Sequence, residues 1–212
     1  MKISIIYDNI TTRDDLKADW GFSCLIEKDD HKILFDTGAN GNILLDNMKK
    51  LGINPRAINE VFISHEHWDH TGGLCDFLEA NQVRAYIPIS CRDFQAANNI
   101  VRIKEAGEIH KDIFSTGELQ LIEQTLIINT TNGLAIIAGC SHPGVKNILK
   151  AAAGFGKPAV LIGGLHDFDK FELVRDLLFI CPTHCTRHIE EIKSLYPEKY
   201  IPGGAGKVLE FP

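Results

Sequence analysis

Between Ser64 and Gly73 the chain reads Ser-His65-Glu-His67-Trp-Asp69-His70-Thr-Gly-Gly, with three imidazoles and the Asp69 carboxylate, besides Glu66, within six consecutive positions. Apolar packing has no use for such a run. Imidazole and carboxylate are ligands that zinc, iron, manganese and nickel accept, and a catalytic zinc site commonly takes three protein ligands and keeps one position open. Four candidate ligands on one segment point to metal chemistry, with zinc as the expected metal.

The residues before the run say how it is held. Glu60-Val-Phe-Ile-Ser64 is short, apolar and β-branched, so it predicts a buried strand, and His65 onward falls on the loop at its carboxyl end. Open α/β sheets place their chemistry on such loops. If the backbone stays extended, His65 and His67 point the same way, because side chains alternate with period two. Asp69 and His70 then fall where the chain turns into a helix beginning near Thr71-Gly72-Gly73, facing the same space from a second direction.

The second half repeats one device: an apolar strand stops and a histidine follows. Ile136-Ile-Ala-Gly-Cys140-Ser-His142, Leu161-Ile-Gly-Gly-Leu-His166-Asp167 and Phe179-Ile-Cys-Pro-Thr-His184-Cys185 all show it. One such histidine is more often a hydrogen-bonded partner than a ligand. Three, in a chain already carrying the first cluster, point to a shared site.

The 212 residues are 44% apolar and 24% charged, an ordinary globular composition from which one domain over residues 1–212 is expected. A net charge of -6 argues against nonspecific nucleic-acid binding. No apolar run reaches a membrane span and Met1 to Tyr7 is too short for a signal peptide, so a cytoplasmic protein acting on a small molecule is expected, with no nucleic acid or membrane partner. The oligomeric state is not legible. The six cysteines (Cys24, Cys75, Cys91, Cys140, Cys181, Cys185) form no C-x-x-C pair and read as reduced thiols. Cys140 and Cys185 each lie within two residues of a strand-end histidine.

Strands are predicted over Lys2 to Tyr7, Phe22 to Glu27, Lys32 to Phe35, Arg84 to Ile89, Leu119 to Ile122, Leu126 to Asn129, Leu134 to Ala138, Ala159 to Ile162 and Phe179 to Cys181. Helices are predicted over Gly41 to Leu51, from Thr71 through Leu78, and over Asp93 to Asn99, Val145 to Ala153, Lys170 to Phe179 and Ile189 to Leu195. Val101 to Gly117 gives no clear pattern. Strands and helices recurring twice over predict an α/β fold of two packed sheets with helices outside.

Together these residues resemble the metallo-β-lactamase superfamily over nearly the whole chain. The resemblance implies a four-layer αββα sandwich holding one or two metals at the sheet edges. Leu34-Phe-Asp36-Thr-Gly38 is similar to the family's early strand-end aspartate motif, and His65, His67, Asp69 and His70 match its metal motif. By that resemblance His65, His67 and His142 hold the first of two divalent ions, Asp69, His70 and His184 hold the second, and Asp36 orients a ligand from behind. The family's late strand-end bridging aspartate has no obvious counterpart. Cys140 occupies a plausible place for it, and Asp167 is the one late carboxylate near a histidine, though an N-cap role is expected for Asp167.

A narrower set, Tyr7-Asp8-Asn9, Trp20-Gly-Phe-Ser23, Gly139-Cys-Ser-His142-Pro-Gly144, Gly163-Gly-Leu-His166 and His184-Cys-Thr186, resembles a branch labelled dihydropterin-methyl-ribofuranosylaminobenzene-phosphate synthase. Relatives in that branch are expected to carry more material than this chain has between Leu74 and Gln124. The superfamily resemblance implies hydrolysis of an ester, lactone or phosphoester, two nearby ions lowering the pKa of a shared water. The branch implies instead a metal-dependent transferase joining a dihydropterin-methyl diphosphate to a ribofuranosylaminobenzene phosphate. Glu66 keeps a third reading open, a di-iron oxygen or nitric oxide reductase. Asp69 and His166 are the expected catalytic residues, His166 touching substrate or moving a proton. Asn9 and Trp20 are placed at the substrate, with an Asx turn and core packing as their ordinary alternatives, and His31 has no role.

Overall fold

Each half of the chain builds one sheet because its strands are apolar on both faces. In the computed structural model, which describes residues 1–212, β1 (Lys2–Tyr7), β2 (Ser23–Lys28), β3 (His31–Phe35), β4 (Glu60–Phe62), β5 (Arg84–Pro88) and β6 (Ile100–Ile103) lie side by side in chain order. The second sheet runs β12-β11-β10-β9-β8-β7, from β7 (Gly107–His110), β8 (Ile113–Ser115), β9 (Leu126–Thr130), β10 (Gly133–Ala138), β11 (Pro158–Gly164) and β12 (Phe179–Thr183). Near the end of the chain β13 (Val208–Glu210) returns to the first sheet beside β1.

Alternation along single strands fixes the layers. On β10, Ala135 and Ile137 face the apolar core between the sheets, while Leu134, Ile136 and Ala138 face the outer helices. On β3, Ile33 and Phe35 point inward and Leu34 outward. The outer face of the first sheet is covered by α1 (Gly41–Lys50) and α3 (Leu74–Ala80), which bury Leu44, Met48, Phe77 and Leu78 there. The second sheet is covered by α4 (Val145–Ala152) and α5 (Ile189–Leu195) through Ile148 and Ile192. This is the expected αββα sandwich. The Asn40 side chain caps the start of α1 by accepting from the Asn42 and Ile43 amides, and Gly52, at φ +71°, lets the chain turn away after it.

Several expected elements differ. Asp69 and His70 sit on a separate one-turn helix, α2 (Trp68–Thr71), rather than ahead of a single long helix. The stretch Asp93 to Asn99 is a series of turns, held by Arg102, which donates to the Ile89 and Cys91 carbonyls and to Asp93. Leu119 to Ile122 is a tight loop instead of a strand, because Gln120 and Leu121 both take left-handed backbone angles. Between Lys170 and Phe179 the helix is a single tight turn, Phe171–Val174, since β12 begins at Phe179 and leaves no length for more. The segment without a clear pattern holds β6 and β7, short and partly buried edge strands, and the three-residue β8 between β7 and β9.

Candidate metal centre

The strands β3 and β4 run parallel, as do β10, β11 and β12, so their carboxyl ends collect at one edge of the sandwich. Asp36 follows β3, His65 and His67 follow β4, Cys140 and His142 follow β10, His166 follows β11 and His184 follows β12. Four of these strand-end loops carry a non-glycine residue at positive φ: Asp36 (51°), Ser141 (61°), His166 (48°) and His184 (49°). Such angles cost energy and persist where surrounding contacts impose them, commonly at functional sites.

The buried imidazoles are each anchored through one nitrogen, leaving the other directed inward. His65 Nδ1 lies 2.9 Å from Ser64 Oγ, which donates to Asp36 Oδ2 at 2.7 Å. His70 Nδ1 lies 2.7 Å from the same Asp36 oxygen, and His184 Nδ1 lies 3.0 Å from Asn9 Oδ1. Each anchor fixes the ring orientation and leaves Nε2 directed into the site.

Those free atoms converge. His65 Nε2 and His142 Nε2 each lie 3.1 Å from His67 Nδ1. His70 Nε2 lies 3.1 Å from Cys140 Sγ and 3.9 Å from Asp69 Oδ2. His184 Nε2 approaches Asp69 Oδ2 to 3.2 Å yet has no hydrogen-bond partner, a buried polar atom left unpaired. At most one hydrogen can sit on His67 Nδ1, so three nitrogens facing one another call for a cation among them. The donor set, imidazoles with a carboxylate, fits divalent zinc or a similar ion, although at His70 burial is outweighed by Asp36 and Asp69, which raise it above the usual imidazole value. Burial, then the neighbouring imidazoles, push His65 well below the usual imidazole pKa and bring His142 down to about 4. Burial lowers His184 as well. These rings are therefore neutral, the form that binds metal. Burial alone would raise the Asp69 carboxyl, but His184 and His70 hold it below the usual carboxylate range.

A further carboxylate supports the centre from outside it. Glu123 is fully buried; its Oε1 accepts the amides of Gly139, Cys140 and Ser141 at 3.0, 3.1 and 3.1 Å, and its Oε2 accepts that of His142 at 2.8 Å. It thereby shapes the loop carrying Cys140 and His142. The next residue, Gln124, ties this segment to the first sheet through the Ser64 and Ile63 carbonyls. Asp8, its carboxyl pushed up to about 6 by burial, accepts the His184 amide at 2.9 Å.

The structure brings His65, His67, Asp69, His70, His142 and His184 together, with Asp36 behind His70 and Cys140 among them. Trp20 stands at the rim, 49% exposed, donating its indole N–H to Asp69 Oδ2 at 2.9 Å. The Asn9 side chain is committed to the His184 ring and carbonyl and to the Gly21 amide. Asp167 neither caps a helix nor reaches the centre, because its exposed carboxylate pairs with Arg187 at 2.7 Å. Glu66 turns outward to the Arg92 amide, at 2.7 Å. His166 lies beside the centre, its ring 4.6 Å from that of His142. His31 is half-buried and stacks on His110.

The fold is the one shared by metallo-beta-lactamase structures, and residues 21–90 match the model of the metallo-beta-lactamase superfamily. Among curated proteins the chain is similar to the 7,8-dihydropterin-6-methyl-4-(beta-D-ribofuranosyl)-aminobenzene-5'-phosphate synthase of Methanocaldococcus jannaschii, 28% identical with 90% of each chain covered. An uncharacterised protein of the same organism is 23% identical, with 98% of this chain and 99% of its own length covered. Among solved structures, Tm1679, described as a metal-dependent hydrolase of the beta-lactamase superfamily, superposes with a TM-score of 0.81 at 26% identity, covering 99% of this chain and 98% of its own. Zinc-bound PqqB from Methylobacterium extorquens shares the fold at a TM-score of 0.68 and 12% identity over the full length of both chains.

Proposed function

We propose that the protein is a metal-dependent hydrolase of a small ester, lactone or phosphoester. The observation that carries this reading is the convergence of the anchored imidazoles of His65, His70 and His184 with His67, His142 and Asp69 at one strand edge. His65, His67 and His142 would hold one ion and Asp69, His70 and His184 a second. Divalent cations held there would supply Lewis acidity toward the bond under attack and a water acidic enough to be ionised near neutral pH.

The chain's own residues would do the rest. His166, half-buried and lowered in pKa by that burial, is neutral at pH 7 and stands beside His142, where it would take or return a proton at the leaving group. Its other side lines a cleft of about 380 Å³ with Ser141, Val145, Leu165, Phe168 and Lys170, a size suited to a small substrate. Trp20 would fix the Asp69 carboxylate through its indole N–H while presenting an exposed face to the substrate.

Similarity to the synthase supports a second reading, group transfer from a dihydropterin-methyl diphosphate, in which the same residues would grip the diphosphate. That alignment runs over 269 positions, more than the 212 residues of this chain, so the relative carries segments that this chain lacks. Segments of that size bordering the site would change which substrate it admits, which ranks hydrolysis first. The outward pairing of Glu66 with Arg92 removes the support for a di-iron reductase.

The test is a panel of lactones, phosphodiesters and thioesters offered to the zinc-loaded protein, with pterin transfer assayed alongside. Hydrolysis that disappears in His65→Ala is the expected outcome. Transfer product without hydrolysis of any ester would replace this reading with the second.

A further inference from the structure

At the place where the superfamily resemblance leads one to expect a bridging aspartate, this chain has two buried thiols. β11 ends in Gly163-Gly164, with no side chain to offer. A Cβ built on Gly164 would lie 2.7 Å from Cys185 Sγ and 3.3 Å from the Cys140 Cα, so sulfur fills the space a side chain there would enter. Cys140 Sγ stands 3.1 Å from His70 Nε2 and 3.3 Å from Cys185 Sγ.

Three groups of potential ligand atoms lie within 4.8 Å of one another: His65, Cys140 and His142; His70, Cys140 and His184; and Cys140, His166 and Cys185. Cys140 is the common member. It therefore borders both ion positions assigned above, which no single imidazole does. Its loop is fixed by Glu123, which accepts the Cys140 amide and those of its neighbours, so the sulfur is held in place beside His70.

We infer that Cys140 is a metal ligand shared between the two ion positions, replacing the missing bridging carboxylate with sulfur, and that Cys185 orients it by donating its S–H to the Cys140 sulfur. The inference rests on the metal-centre reading above and specifies its ligand set. Binding displaces the Cys140 thiol proton to solvent and oxidises nothing. A thiolate adds one negative charge, as an aspartate would, and its softness biases the centre toward zinc over magnesium or calcium.

Cobalt-substituted protein tests this without an activity assay, with exposed Cys75 replaced by serine in every sample so that no surface thiol contributes. The expected result is about two cobalt ions per chain and an intense near-ultraviolet sulfur-to-cobalt band. Cys140→Ser should abolish the band and lower the stoichiometry to about one, whereas Cys140→Asp should lack the band and restore about two. Cys185→Ser should keep the band. Circular dichroism of the metal-free variants separates lost ligation from lost folding, and Cys140→Asp serves should the serine variant not fold. A filled centre with no sulfur band, or a band that survives Cys140→Ser, overturns the ligand assignment and leaves the metal centre standing. No cobalt uptake by the parent protein overturns both.

Discussion

At the residue scale the site is a set of short chains of hydrogen bonds ending on acids. Asp36 serves His70 directly and His65 through Ser64, so one buried carboxylate sets two ring orientations across the site. Asp36 was legible because it follows a strand and precedes Thr-Gly, and the histidines that converge with it were legible because they cluster or end strands. Glu123 was not. It lies in an irregular segment with no periodicity, and its partners are backbone amides, which leave no mark on residue type. Its loss should still be felt. Glu123→Gln puts an amide N–H against backbone N–H groups that now meet an oxygen, leaving at least one buried donor unpaired at about 1–3 kcal/mol. The expected outcome is a lower urea midpoint together with weaker zinc binding; an unchanged midpoint would deny Glu123 its positioning role.

At the element scale the decisive feature is that five strands of two sheets end at one edge, and the two sheets meet there with almost no room. A Cβ on Gly139 would fall 2.2 Å from Ser64 Oγ and 3.1 Å from His65 Nδ1, so the end of β10 passes directly against the loop after β4. Gly139→Ala should therefore destabilise the fold by about 1–3 kcal/mol, as overpacking does, and displace His65 from its anchor. Adding Ser64→Gly makes room, so the double variant should recover stability while still binding zinc weakly, since the relay to Asp36 is gone. Thermal melts and zinc titration of both variants check this, and a neutral Gly139→Ala would refute the close approach. The central strands were readable because they are apolar on both faces and bounded by turns. β6 and β7 were not, because edge strands are short and half-exposed and carry a weaker pattern, and β8, paired on both sides, is only three residues long. Lys170 to Phe179 misled for the opposite reason. Phe171, Val174 and Leu177 have helical spacing and are all packed in the outer core, but the crossover to β12 allows one turn only.

At the scale of the whole molecule the candidate centre draws its side chains from both sheets of the sandwich. His65, His67, Asp69 and His70 come from the first sheet, and Cys140, His142 and His184 from the second, so an ion bound by both sets ties the two sheets at their shared edge. Because the folded chain presents the ligands together and the unfolded chain does not, zinc at a hundredfold excess over its Kd should stabilise the protein by about 2.7 kcal/mol. For a chain of this length that is a rise in Tm of about 5–10 °C. The pH dependence follows from the imidazoles. His142 is lowered to about 4 by burial and its neighbours, so the folded protein does not take up that proton where the unfolded chain does. Its contribution to stability is complete above the ordinary imidazole pKa of about 6.5 and is lost as pH falls from there toward 4. The same displacement keeps the ring free for metal in mild acid. His70 moves the other way, burial there being outweighed by Asp36, which raises it, so the zinc-induced rise in Tm should shrink as pH falls below the ordinary imidazole pKa of about 6.5 and vanish as it approaches about 4. Replacing His184, from the second sheet, by alanine should shrink the rise, whereas His31→Ala, remote from the centre, should leave it intact. Scanning calorimetry with zinc and with a chelator measures each of these shifts, and a Tm indifferent to zinc at pH 7.5 would mean that no ion joins the two sheets.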